Sequence, residues 1–225
     1  DYSGKYIKQT ADIDLDSLQW TPIGKYVSQD SENNRAFAGT YDGDGYIISN
    51  LFIDQTFVGS DSNNKAFGVF GYVTGTVMNL GLNNADVSVT NTNSSSPGNA
   101  YAGGMVGYLA STSSNGLFNC FARGEITATT SYSGARTAAG GLAGYLNSSN
   151  ATVSNCYSST TATVSGAGSD SGAGGAIGHR YSSGTGSISN TYWNSDLTAT
   201  GSSGTSTGLT AKTTADMQAA AFVTL

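Results

Sequence analysis

Charge is scarce in this chain: Asp, Glu, Lys and Arg make up 11% of its 225 residues, and the nine Lys and Arg are outnumbered by fifteen acids. With a net charge of −6 and its basic residues scattered, it cannot build an electropositive groove, which argues against nucleic acid or an anionic membrane as partner. No run of about 18 apolar residues occurs, so no helical span inserts into a bilayer. The first residues, Asp1-Tyr2-Ser3-Gly4-Lys5, lack the basic start and apolar stretch of a secretory signal, and the chain reads as mature or cut from something longer. Histidine occurs once, at His179, and cysteine twice, at Cys120 and Cys156. That leaves no His-Glu-x-x-His pattern, no His/Cys zinc set and few nucleophile-and-base pairs. No long stretch keeps a 3.6-residue apolar period, and Gly and β-branched residues abound, which excludes a helical repeat.

What the chain has is repetition. An aliphatic residue is followed two positions later by asparagine in Ile48-Ser49-Asn50-Leu51, Val77-Met78-Asn79-Leu80, Leu117-Phe118-Asn119-Cys120, Val153-Ser154-Asn155-Cys156 and Ile188-Ser189-Asn190-Thr191. The asparagines are spaced 29, 40, 36 and 35 residues apart, the range of stacked solenoid units. A second column reads Gly68-Val69-Phe70-Gly71-Tyr72, Gly104-Met105-Val106-Gly107-Tyr108, Gly141-Leu142-Ala143-Gly144-Tyr145 and Gly175-Ala176-Ile177-Gly178-His179, with Gly39-Thr40-Tyr41-Asp42-Gly43 as a degenerate first copy. A third follows the asparagines as Val87-Ser88-Val89-Thr90, Ile126-Thr127-Ala128-Thr129, Ala162-Thr163-Val164-Ser165 and Leu197-Thr198-Ala199-Thr200. Three short strand-like pieces per repeat predict an all-β fold, a parallel β-helix whose crossovers are right-handed, with repeats of about 35 residues. The expected organisation is an N-terminal capping segment over 1–35, repeats over 36–200, and a C-terminal tail over 201–225 that starts a short helix capped by Thr213 with Asp216 three residues on. The variable joins, Asn91 to Asn99 and Thr130 to Thr137, are expected as loops at one edge.

Alternation of apolar and polar residues breaks at each asparagine, because residues three apart such as Val153 and Cys156 are both apolar. A left-handed bend reconciles this, and asparagine tolerates one. Asn50, Asn79, Asn119, Asn155 and Asn190 are therefore expected to form one structural ladder of side-chain hydrogen bonds. Cys120 and Cys156 fall in that core column and read as free buried thiols rather than a disulfide, since stacked parallel side chains rarely reach the required dihedral. His179 occupies a tyrosine position, which makes it a column member rather than a base.

These residues, above all Gly104-Met105-Val106-Gly107-Tyr108 and Gly141-Leu142-Ala143-Gly144-Tyr145 with Asn119-Cys120-Phe121 and Asn155-Cys156-Tyr157, resemble the GLUG-motif repeats of bacterial surface proteins. Those include adhesin-like proteins and the non-catalytic parts of some IgA-specific metallopeptidases. The lead-in from Ala11 through Trp20-Thr21-Pro22-Ile23-Gly24 to Leu51 and the ending Thr191-Tyr192-Trp193-Asn194 with Gly208-Leu209-Thr210 are similar to segments flanking such repeats. The resemblance implies an extracellular or cell-surface β-helical module that displays, spaces or binds, and it carries over no catalytic residue.

Three surface features are candidate sites. Outward rings at Phe121, Tyr157 and Tyr192 form a strip that would take a glycan or another surface protein, or lie under a loop. The threonine and serine files, Ser88, Thr127, Thr163, Thr198 and Thr90, Thr129, Ser165, Thr200, suggest an ice-binding face. Asp42 and Asp44, with Asp12, Asp14 and Asp16, would serve a carbohydrate-active hydrolase or lyase, or bind calcium weakly. Otherwise no cofactor or metal is expected. The leading expectation is a non-enzymatic module, a stalk or adhesin repeat, with self-association left open.

Overall fold

The computed structural model describes residues 2–27, 32–58, 64–93, 98–111, 115–147, 151–166, 168, 171–181 and 186–219. It is a parallel β-solenoid of about four turns. One sheet stacks Lys65–Phe67, Ala100–Gly103, Thr137–Gly140 and Gly172–Gly174. A second stacks Phe70–Val73, Val106–Leu109, Ala143–Leu146, Ile177–Arg180 and Ser202–Ser203. The third and largest holds everything after the second sheet in each coil, from Thr76–Met78 with Gly81–Asn91 through Gly116–Phe118 with Phe121–Thr130 to the unbroken Thr152–Ser165. Strands from the proposed caps join it, because Tyr6–Lys8 pairs with Thr40–Asp42, Ile13–Asp14 with Ile47–Ser49, and Leu209–Lys212 with Ile188–Asn194.

The first and second sheets lie against each other at backbone distance, and this explains the paired glycines. A Cβ on Gly107 would fall 2.3 Å from the Phe67 nitrogen, and one on Gly178 would fall 2.6 Å from that of Ala139. The first glycine of the motif meets the next coil at Gly68 and Gly104, where a Cβ on Gly104 would lie 2.4 Å from the Gly141 carbonyl oxygen, whereas at Gly141 and Gly175 it would meet the Ser158 and Trp193 side chains at 1.9 and 2.6 Å. At the margin of these sheets Tyr26, Tyr72, Tyr101, Tyr108 and Tyr145 interlock, with Tyr108 stacked on Tyr145 at 5.3 Å. His179 continues the same register column and stacks on Tyr145 at 5.4 Å, buried. The main core is enclosed by all three sheets and is made of inward columns such as Val77, Leu117 and Val153 of the third, Phe70, Val106 and Ala143 of the second, and Ala102 and Ala139 of the first.

Two expected registers differ from the structure. Gly39–Gly43 is not a copy of the paired-glycine motif; Thr40–Asp42 pairs with Thr76–Met78, and the partner of Phe70 is Ile23. The last hydroxyl pair is also misplaced, because residues 195–200 form turns rather than a strand. Thr198 is buried and donates to the Thr160 carbonyl at 2.8 Å, while Thr200 donates to the Ala173 carbonyl. The files therefore end at Thr163 and Ser165, and Asp54 continues the first of them beside Ser88. Residues 94–97 of the Asn91–Asn99 join and 220–225 of the tail lie outside the described residues.

Candidate functional site

The site grows out of the asparagine bends. Asn79, Asn119, Asn155 and Asn190 all have left-handed backbones, with φ of 54°, 53°, 55° and 44°. This conformation lets the residues on both sides, such as Val153 and Cys156, face the core. Each amide nitrogen donates to the oxygen one coil below: Asn119 to Asn79 at 2.9 Å, Asn155 to Asn119 at 3.2 Å, and Asn190 to Asn155 at 3.0 Å. At the base Asn79 donates to Asp42 at 2.9 Å, and a carboxylate suits that end because it only accepts.

Asn50 belongs to a second, parallel ladder, and the single file expected from the sequence is thereby corrected. Asn84 donates to Asn50 at 2.6 Å, and Asn50 to Asp14 at 2.8 Å. Asn84 is a bend that the sequence reading missed, although the 29-residue step from Asn50 to Asn79, short beside the others, was its signal. The second ladder stops at the next coil, where the register shifts between Ala122 and Gly124: Arg123 alone stands against Asn83 and Asn84, and Gly124 pairs with Ala85, so no residue takes up the bend position.

Both basal aspartates are built alike. Asp14 accepts the Asp16 backbone N–H and Asp42 that of Asp44, each at 2.9 Å, and Asp16 and Asp44 both carry the left-handed bend. Asp42 also accepts the Tyr6 hydroxyl; that bond, then the Asn79 amide, the Asp44 N–H and the Lys8 charge hold its carboxyl below the usual range against the opposing effect of burial. The Asn50 amide and the Asp16 N–H do the same for Asp14. Asp44 is paired with Lys8 at 2.9 Å. Of the acids singled out as catalytic or calcium-binding candidates, Asp14 and Asp42 thus close the hydrogen-bond ladders, Asp16 and Asp44 form the bends beside them, and Asp12 accepts the Ile47 N–H. Among the described residues no group of three or more His, Cys, Asp and Glu could hold a metal ion.

Two residues past each asparagine the strand turns its side chain outward. Phe121, Tyr157 and Tyr192 sit in register on adjacent strands, all half-buried. The Phe121 and Tyr157 rings stack at 5.1 Å and 8°, so each spends one face on the other. Gly81 lies below in the same column, and its missing side chain is what admits Phe121: a Cβ there would lie 2.5 Å from two ring atoms. A third file, Arg123, Ser159 and Asn194, runs beside the rings.

Together these files make a groove of about 730 Å³. Rings form its floor, Asn119, Asn155 and Asn190 one rim, Arg123, Ser159 and Asn194 the other, and the helix Thr214–Gln218 contributes Thr214, Met217 and Gln218 at the C-terminal end. The helix is held there by its capping box, in which Thr213 and Asp216 exchange hydrogen bonds, and by Asn194 and Asp196, which bond Thr214. A shallower continuation of about 420 Å³ runs over Gly81 to Asp44. Beneath the floor, Cys120 and Cys156 are free buried thiols whose hydrogens point to the Phe118 and Ser154 carbonyls at 3.2 Å, as the Thr191 hydroxyl above them points to Ser189. Burial pushes the Cys156 thiol well up, so it stays protonated.

The chain is 32% identical over 125 residues to halomucin of Haloquadratum walsbyi, a match that takes in 52% of this chain and 1% of that one. Its fold is similar to a solved candidate immunoglobulin A1 protease from Bacteroides ovatus, with a TM-score of 0.51 and 21% identity over 84% of this chain and 59% of the other. No family model matches.

Proposed function

We propose that the chain is a non-catalytic, extracellular β-solenoid module whose aromatic groove binds an extended glycan, in the manner of an adhesin repeat. The observation that carries this reading is the make-up of the groove: aromatic rings edged by polar side chains, with the ladder amides held in place along one rim. A ladder asparagine uses one N–H and one oxygen lone pair within the stack, leaving one of each for a ligand. Asn119, Asn155 and Asn190 are exposed, and the stack holds their amides in position before any ligand arrives. A hydroxyl-rich chain with apolar C–H patches matches such a surface in both respects. From Gly81 to Tyr192 the floor spans about 14 Å, three strand spacings of ~4.8 Å, which favours several sugar units in a row over one.

A catalytic reading has less support. Glycosidases work with two carboxyl groups across the scissile bond, and among the described residues no carboxylate lines the larger groove. Asp44, at the end of the shallow part, is engaged by Lys8. An ice-binding reading is weakened by Asp54, Asp86 and Glu125, which sit among the hydroxyl files of the third sheet. The likeness to a segment of halomucin and to the Bacteroides fold agrees with a module that sits within a longer protein.

The test is a glycan array with the purified chain, followed by calorimetry on the hits. Loss of a central ring at Tyr157→Ala should weaken binding by about 2 kcal/mol, the hot-spot scale. An array without hits, or a folded Tyr157→Ala variant that binds like the parent, would overturn the reading.

A further inference from the structure

The charge around the groove runs against the charge of the molecule. The chain carries fifteen acids and a net charge of −6, yet among the residues lining the larger groove the charged side chain is a cation, Arg123. Arg123 is exposed and forms no ion pair with a described residue. Its guanidinium rests over the Phe121 ring at 5.7 Å, so it lies at the edge of the aromatic floor instead of trailing into solvent. The next strand places Ser159 beside it in register, and beyond Ser159 the Asn194 amide donates to the serine oxygen at 3.2 Å. Glu125, two residues along the same strand and on the same outward side, pairs in register with Asp86, not with Arg123. The groove therefore meets the acidic part of the sheet at a cationic boundary.

We infer that the glycan is acidic, and that Arg123 seats a carboxylate of a uronic-acid residue while the rings and the asparagine ladder hold the neighbouring sugars. The inference rests on the glycan reading above and adds to it the class of sugar. A guanidinium offers two parallel N–H donors that match the two oxygens of a carboxylate, and the contact with Phe121 keeps it beside the rings. A neutral hydroxymethyl group at the same place gains no such fork. The single cation fits acids spaced along a chain, not a densely sulfated polymer, which would meet the surrounding negative charge without compensation.

The experiment uses the full chain and oligogalacturonate, hyaluronan and alginate oligosaccharides, each beside its carboxyl-reduced neutral form, with parent, Arg123→Gln, Arg123→Lys and Tyr157→Ala proteins. The parent should bind at least one acidic oligosaccharide about tenfold more tightly than its reduced form, the scale of one charge-assisted hydrogen-bonding contact. Arg123→Gln should remove that preference, weakening the acidic form far more than the reduced form, Arg123→Lys should keep part of it, and added salt should erode it in the parent. Because Arg123 is exposed, unchanged thermal midpoints are expected for both arginine variants, and Arg123→Lys serves if the glutamine variant does not fold. Equal binding of acidic and reduced forms, lost in Tyr157→Ala, would overturn the acidic inference and leave the glycan reading standing. A preference that survives Arg123→Gln would overturn the seat at Arg123. Binding of neither form would overturn both readings.

Discussion

Each coil has one edge that cannot take a side chain and one that is built from them. Where the first two sheets meet, Gly107 and Gly178 bring backbones so close that even a methyl group has no space. At the asparagine bends, by contrast, the stack advances by outward side chains, a carboxamide at Asn155 and a ring at Tyr157, each repeated in the coil below. Both edges follow the same period, but the first spends it on packing and the second on a surface. The tyrosines sharpen the contrast: Tyr108 and Tyr145 are buried among other rings, whereas Tyr157 and Tyr192 are half-open to solvent.

The comparison breaks most visibly at the glycines. Gly107→Ala should cost about 3 kcal/mol or more, since overpacking here meets backbone atoms that cannot move aside, and a lowered urea midpoint would register it. A variant as stable as the parent would mean that the two sheets are not in backbone contact.

The ladder should respond less. Asn155→Ala loses a donor and an acceptor and places a Cβ in a left-handed bend, a combined cost of about 1 to 3 kcal/mol in chemical denaturation. Asn155→Gly removes the same hydrogen bonds but relaxes the bend, so it should fall between Asn155→Ala and the parent. If Gly proves no better than Ala, the backbone argument for asparagine fails.

Acid should act on the base of the ladders. The carboxyl of Asp42 is held below its usual range in the folded chain, so its contribution is present above about pH 4, the unfolded aspartate range, and disappears as pH falls through the folded value. Denaturation followed down to pH 2.5 should show stability falling over that window. Asp42→Asn should flatten the fall, and an unaltered pH profile would contradict the assignment.

How much of this was legible in the sequence differs between the two edges. The paired glycines and the asparagines could be read because each marks a backbone need, close approach or left-handed φ, that few residues satisfy. The stack of Cys120, Cys156 and Thr191, and His179 in the tyrosine column, followed from the same alignment. Register at the ends was harder. Asp14 and Asp42 take the ladder position without being asparagine, so the first coil was aligned on Asn50, one bend too late. Thr198 looked like a strand residue because polar side chains in turns and in strands share a composition. The groove was only half visible: the ring strip could be read from spacing, but Gly81, Arg123 and the helix at its end become neighbours only through coil stacking.

The smallest effect on stability is expected at the rings. Tyr157→Ala should cost about 1 kcal/mol, the value of one ring pair, while its effect on binding is larger. That ordering, a strong binding loss with little destabilisation, is what separates the open edge from the packed one.

The most direct measurement is tyrosine footprinting of the folded chain with and without an array-identified oligosaccharide, read residue by residue by mass spectrometry. The account predicts that the ligand protects Tyr157 and Tyr192 while Tyr132 and Tyr181, half-exposed and exposed elsewhere, keep their reactivity. Protection spread evenly over these tyrosines, or confined to those outside the groove, would contradict it.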